Sequence, residues 1–211
     1  LDPNLPEQDL YVLEADAAGN LLNFVDKVEF NASAAGEALG LWPDGGPRLY
    51  PLRQSSFGTS NTAGGNAVRS GPVVISELLY NPSGSDNNLE YIELYNSGNQ
   101  TENLASWRLS GDVNLDFGAG PIPLAPGQAL VLVGFDPADS ALATAFRGLY
   151  GIDTSVRLLG PWLNDLGQTG TLLDNGGGTL ILSRAGALVT PPVGASYYPL
   201  LPEDSLRYDD V

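Results

Sequence analysis

The sequence predicts an all-β sandwich with one short helix. Three observations carry this. Gly (26) and Pro (16) punctuate the 211 residues at close intervals, which is turn chemistry. The apolar segments between them are short, as strands of about four to eight residues are. Hydrophobic residues make up 43% of the chain and charged ones only 16%, too apolar a balance for disorder.

Residues 10–30, LYVLEADAAGNLLNFVDKVEF, predict a hairpin, two apolar runs around a turn rich in Asp, Gly and Asn. The next segment, GEALGLWPDGGPRLY (36–50), has its turn at Pro43-Asp44-Gly45-Gly46. QSSFGTSNTAGGNAVRSGP (54–72) is small, polar and Gly-rich, the best linker in the chain. The expected organisation is therefore a first piece over 1–63, a linker over 64–71 and a main domain over 72–211. Strands follow densely: VVISELLY (73–80), LEYIELYN (89–96), SWRLSG (106–111), NLDFG (114–118) and QALVLVG (128–134). A helix is expected near 137–150, with Asp136 as N-cap, Pro137 at the first position and Gly151 as stop. Its apolar stripe is Leu142, Phe146 and Leu149. TLLDNGGGTLILSRAGALV (171–189) reads as two strands and a turn, and EDSLRYDDV as a closing strand.

Charge and composition exclude several functions. The net charge of −16, with Lys27 the one lysine beside eight arginines, repels phosphate backbones and anionic bilayers alike. No apolar run reaches the ~20 residues of a membrane-spanning helix. With no Cys, His or Met, there are no disulfides, thiolate or imidazole metal sites, or His-based triads. An oxygen-ligated cation such as Ca²⁺ is the metal chemistry left open. Its candidate ligands are Asp86 (in Asp86-Asn87-Asn88), Asp209 and Asp210, although no EF-hand spacing supports them.

The other candidate site is a set of carboxylates. Strand alternation puts Glu93 on the face of Leu89, Tyr91 and Tyr95, and Glu90 on the face of Ile92 and Leu94. Those two therefore cannot converge on one substrate. Glu77, on the face of Val73, Ile75 and Leu79 by the same rule, could meet Glu93 across strands as a glycosidase-like couple. Against this stands a structural role, with Arg108 or backbone donors satisfying the carboxylates. Asp174-Asn175-Gly176-Gly177-Gly178 lacks the Gly-Lys-Ser/Thr ending of a phosphate loop and reads as a turn. Trp107 reads as core, whereas Trp42 and Trp162 stand beside Pro in turns, where an exposed pair would make a platform for carbohydrate. Asn31-Ala32-Ser33 and Asn99-Gln100-Thr101 are glycosylation sequons by pattern.

The two ends of the chain repeat a pattern. LYVL, a turn with Gly19 and VDKVEF near the start answer TLIL, a turn with Gly186 and EDSLRY near the end. Asp26/Val28/Phe30 falls in the same order as Asp204/Leu206/Tyr208. The spacings differ, so chance similarity between two hairpins competes with a true repeat.

VVISELLYNPSGSDNNLEYIELYNSGNQTENLASWRLSG, with Leu104, Trp107 and Leu109 in an L-x-x-W-x-L run, resembles the opening of the lamin tail domain family. PLAPGQALVLVG and TGTLLDNGGGTLIL resemble later parts of its secreted bacterial form. GLWPDGG and FGTSNT resemble, more loosely, the end of a preceding copy. The resemblance implies an immunoglobulin-like β-sandwich without catalytic residues, in which Glu77, Glu93, Asn96 and Trp107 are structural signature positions. Its animal members belong to nuclear filament proteins. Its bacterial members belong mostly to large exported or surface proteins, often in tandem.

The chain starts at Leu1 without an initiator Met, so a processed piece of something longer is expected. The function expected is a non-enzymatic, extracellular or cell-surface structural or adhesive module that binds a protein or itself, in the self-binding case head-to-tail into a filament by strand complementation. The ends of the chain also fit a permuted fold, in which residues 1–60 complete the 72–211 module, or a trimmed chain. A carbohydrate- or Ca²⁺-binding accessory module of an exported enzyme is the alternative function. Neither nucleic acid nor membrane insertion is expected.

Overall fold

The computed structural model describes residues 8–30, 32–46, 49–83, 88–170 and 172–209. In chain order the strands are β1 (Gln8–Ala15), β2 (Leu21–Phe30), β3 (Ala38–Leu41), β4 (Leu49–Leu52), β5 (Val73–Leu79), β6 (Tyr91–Asn96), β7 (Glu102–Asn103), β8 (Arg108–Gly111), β9 (Leu115–Asp116), β10 (Pro123–Leu124) and β11 (Ala129–Val133). Helix α1 (Ser140–Tyr150) follows, then β12 (Arg157–Leu159), β13 (Gly177–Ala185) and β14 (Leu200–Asp209). The fold is all-β with one short helix, as the turn-rich sequence predicts.

Contacts group the chain into two units. One holds residues up to Arg69 together with Gly186–Leu201, and the other holds Ser70–Ala185 together with Pro202 onward. Residues 54–69 group with the first unit, and the division between the units falls at 69/70, within the expected 64–71. The small polar side chains of 54–69 are used in hydrogen bonds. Asp44 accepts from the Asn61 N–H (3.0 Å) and from the Ser60 hydroxyl. The Asn61 amide donates to the Leu41 carbonyl (2.8 Å), and Arg69 pairs with Glu37 (2.6 Å). Residues 186–201 also lie outside the unit that holds most of 72–211.

The second unit is the sandwich. One sheet has the order β12-β11-β6-β5 and the other β14-β13-β8-β9. Between them lies a core that includes Ile92, Leu94, Trp107, Leu109, Leu130, Leu132, Leu180 and Leu182. β6, β11 and β13 each contribute every second residue, which is why short alternating segments suffice to fill it. β12 pairs parallel to β11 (Leu130↔Arg157), so α1 is the crossover that a parallel pair requires. Three strands escape the sequence reading: β7, β10 and β12, of only two or three residues each. Conversely, the described residues of the expected 171–189 pair of strands hold one strand, β13, and afterwards only the isolated bridge Val189↔Tyr197.

The helix starts later than its Pro suggests. Asp139, not Asp136, is the N-cap, its carboxylate accepting from the N–H groups of Ala141 (3.0 Å) and Leu142 (3.1 Å). Asp136 makes the turn before it, accepting from the Ala138 N–H (2.9 Å). Gly151 ends the helix in the left-handed conformation (φ +66°). The buried stripe is Leu142, Phe146 and Tyr150, which cover Val131, Val133 and Tyr91 on the outer face of the first sheet. Leu149, expected in that stripe, is exposed.

Candidate functional site

The carboxylates of the opening motif separate as follows. β5 runs antiparallel to β6 with Ile75↔Leu94, then Glu77↔Glu93 and Leu78↔Ile92. Ser76 is an extra residue, a β-bulge. Strict alternation would keep Glu77 with Val73 and Ile75, and the bulge overturns this. Leu78 and Tyr80 turn to the core beside Ile75, and Glu77 turns outward to face Glu93. The two residues are register partners, and each carboxylate has a local donor. The Tyr91 hydroxyl donates to Glu77 (2.5 Å) and the Ser76 hydroxyl to Glu93 (2.7 Å). Burial, and then the Glu77 carboxylate, hold the Tyr91 hydroxyl well above the ordinary tyrosine range. Arg108 joins neither; its Nε lies 3.6 Å from Asp116. Both carboxylates are thus held by hydroxyls of their own sheet.

Glu90 lies on the other side, 2% exposed, and accepts from the Leu173 N–H (2.7 Å). Asn96 is fully buried, and its amide ties three segments together. It donates to the carbonyls of Gln100 (2.8 Å) and Leu124 (2.7 Å) and accepts from the Gly98 N–H (2.9 Å). Trp107 is core, its backbone bonded to Leu104 (3.1 Å) and Phe117 (3.0 Å).

Two charged residues outside the sequence's site candidates stand where β14 nears β5. Asp204 accepts from the Ile75 N–H (2.8 Å), and burial, opposed by that bond, pushes its carboxyl up. Glu203, buried, pairs with Arg184 (3.1 Å). An acidic residue in a strand pattern marks this pair, but nothing local marks its partners.

Of the Ca²⁺ candidates, Asp86 and Asp210 lie outside the described residues. Asp209 is exposed, and its carbonyl accepts from the Tyr80 hydroxyl (3.2 Å). Among the described residues no three acidic side chains cluster to hold a metal. The tryptophans form no exposed pair: Trp107 and Trp162 are buried and Trp42 half-buried. Asp174-Asn175-Gly176 is a turn, closed by the Gly176 N–H on the Asp174 carboxylate (2.8 Å). Asn99 is exposed, and Asn31 lies outside the described residues. No helix among the described residues is long and apolar enough to cross a membrane.

The most conspicuous surface lies on β1 and β2. They form a two-stranded sheet of their own, in register from Gln8↔Phe30 to Ala15↔Leu21 with bulges at Val25 and Leu22. Hydrogen bonds close its turn: Asp16 accepts from the N–H groups of Ala18 (2.9 Å) and Asn20 (2.8 Å), beside Gly19 at φ +86°. The Asn20 side chain above all holds the Asp16 carboxyl below its ordinary range. One face carries Asp9, Tyr11, Leu13, Phe24, Lys27 and Glu29. There Lys27 pairs with Asp9 (3.3 Å) and Glu29 and lies over the Tyr11 ring (5.6 Å), which meets Phe24 edge-on (6.3 Å). The other face carries Leu10, Val12, Val28 and Phe30 with Asp26. Leu10, Tyr11, Val12, Leu13, Leu21, Leu22, Phe24 and Val25 are all between 45% and 68% exposed. An isolated ribbon of this kind is marginal in water.

Comparison with known proteins bears on the sandwich. No curated protein matches the chain. The model of the lamin tail domain matches residues 66–190, which takes in β5 to β13 with the Glu77–Glu93 pair, the Asn96 tie and the Trp107 core. The chain belongs to the lamin tail domain family.

Proposed function

We propose that the chain is a non-enzymatic structural or adhesive module of a larger extracellular surface protein, and that the β1–β2 ribbon is the arm by which it joins another protein. The observation that carries this is the row of large apolar side chains left exposed on a two-stranded ribbon. Burying one such side chain is worth about 1.5–3 kcal/mol, so a partner that covers four or five gains enough to hold the arm. The ribbon also offers strand edges, the usual means of attachment by strand addition. Family membership supports the non-enzymatic reading, as does the engagement of both outward carboxylates by Tyr91 and Ser76. The extracellular setting rests on the likeness to exported members. The test is retention of the intact chain on a panel of immobilised extracellular-matrix and cell-wall proteins and on the chain itself. Leu10→Thr combined with Val28→Thr is expected to abolish retention. Retention that ignores the ribbon, or none on any surface, would overturn the proposal.

A further inference from the structure

The two faces of the ribbon differ in how their charges are met. On one, the Asp9 and Glu29 carboxylates share Lys27, which also lies over the Tyr11 ring (5.6 Å). The other face is divided along its length. Its half away from the turn carries Leu10, Val12, Val28 and Phe30, and toward the turn stand Asp26 and then Glu14, both exposed. Asp26 accepts from the Lys27 backbone N–H (2.8 Å) and Glu14 from the Asn23 amide (2.8 Å), donors without charge. Among the described residues of the ribbon no Lys or Arg lies on this face.

We infer that this second face receives a basic, amphipathic segment of another protein, with apolar side chains over Leu10, Val12, Val28 and Phe30 and Lys or Arg at the end that meets Asp26 and Glu14. This rests on the attachment role just proposed and names the chemistry of its partner. Charge makes the selection. An uncharged apolar partner would strip two carboxylates of water and return no counter-charge, which is a net cost. A second copy laid on the same face sets carboxylate against carboxylate or, turned end for end, carboxylate against Leu10 and Val28. Neither register supplies a cation. Lys27 does not supply one either, since it stands on the opposite face and is already paired there. Phosphate-bearing chains and anionic bilayers are repelled.

The strength follows from area and charge. A face about 25 Å long and 10 Å wide presents roughly 250 Å², well below the ~800 Å² per partner of a tight complex. The contact is therefore weak, and two ion pairs at its solvated end carry a sizeable share of it. Salt screens those pairs, so the contact loosens as salt rises.

Fluorescence anisotropy of labelled peptides on the intact chain, at about 0.15 M salt, tests this. The peptides share one alternating Val and Thr sequence and end in a pair of Lys, of Gln or of Glu. The Lys peptide is expected to bind best, and to weaken when salt is raised to about 0.5 M. Glu14→Gln with Asp26→Asn keeps an acceptor at each position without the charge, and should lower its affinity roughly 3- to 10-fold. Asp116→Asn with Asp165→Asn removes as much charge from exposed positions of the sandwich, and should change the affinity less than about 2-fold. Four results would each overturn the inference: no peptide bound, Lys and Gln peptides bound equally, equal effects of the two substitution pairs, or a ribbon-dependent dimer of the chain alone. The attachment role is judged apart from this. Gln-peptide binding or dimerisation that is lost with Leu10→Thr and Val28→Thr would still support it.

Discussion

Glu77 and Glu93 stand directly opposite each other on the outer face of the first sheet because one extra residue, Ser76, lies between Ile75 and Glu77. Removing Ser76 leaves Ile75 against Leu94 and Glu77 against Glu93. The losses are the hydroxyl bond to Glu93 and the bulge geometry that brings the Ile75 N–H to Asp204. Deletion of Ser76 is expected to leave a folded protein destabilised by about 1–3 kcal/mol, read by denaturant titration. Inserting one residue between Ile92 and Glu93 should instead abolish cooperative unfolding. It throws one half of a buried strand onto the wrong face.

Asn96 is expected to matter more than any outward carboxylate. Asn96→Ala strands the carbonyls of Gln100 and Leu124 and the Gly98 N–H, each bound to its amide. The Leu124 carbonyl is the buried one of the three, and an unsatisfied buried group costs about 1–3 kcal/mol, so a loss of about 2–3 kcal/mol in unfolding free energy is expected. Asn96→Asp should be no milder, because it places a charge in the core and loses the two donated bonds.

The helix stripe has its own test. Phe146 is buried and meets Phe135 (5.5 Å) and Tyr150 (4.9 Å) edge-on. Phe146→Ala should cost about 3–5 kcal/mol, and Leu149→Ala less than ~0.5 kcal/mol, as for exposed positions generally. Equal costs in thermal melts would show the stripe to be misassigned.

Asp204 makes stability depend on pH. Burial raises its carboxyl in the folded state above 3.8, so the folded chain holds this proton more tightly than the unfolded one. Its contribution is most favourable below 3.8 and declines as pH rises through the raised folded value. Asp204→Asn keeps an acceptor for the Ile75 N–H without the charge. It should therefore melt higher than the parent at about pH 7, with the gain shrinking toward about pH 3.5. A gain that grows on acidification would contradict the assignment.

Much of the fold is legible in the sequence where a pattern has one period and a local punctuation. The β1–β2 hairpin, the Pro43–Gly46 turn, β6 and Gly151 all qualify. The bulge at Ser76 is not legible, because alternation assumes a period of two and nothing in VVISELLY announces an added residue. β12 is three residues long, too short for any pattern, although strand, helix and a further apolar run in succession imply a parallel return. The N-cap slipped by three residues because Asp136 and Asp139 both precede apolar positions, and only the bonds to Ala141 and Leu142 decide between them. The candidate site shifted most. Sequence draws attention to carboxylates, whereas the exposure of Leu10, Val12 and Phe24 depends on what the rest of the chain leaves uncovered.

The path of the chain after β13 has a consequence for dissection. Gly186–Leu201 is counted with the residues up to Arg69, and the polypeptide then returns as the remainder of β14. The match to the family ends at residue 190, inside that excursion. A cut on the linear map near residue 66 would strip 186–201 of the neighbours with which it folds. Each unit is built from two separated stretches of the chain, so an uninterrupted stretch of gene that stops at residue 190 leaves out the closing stretch of the sandwich unit from Pro202 onward.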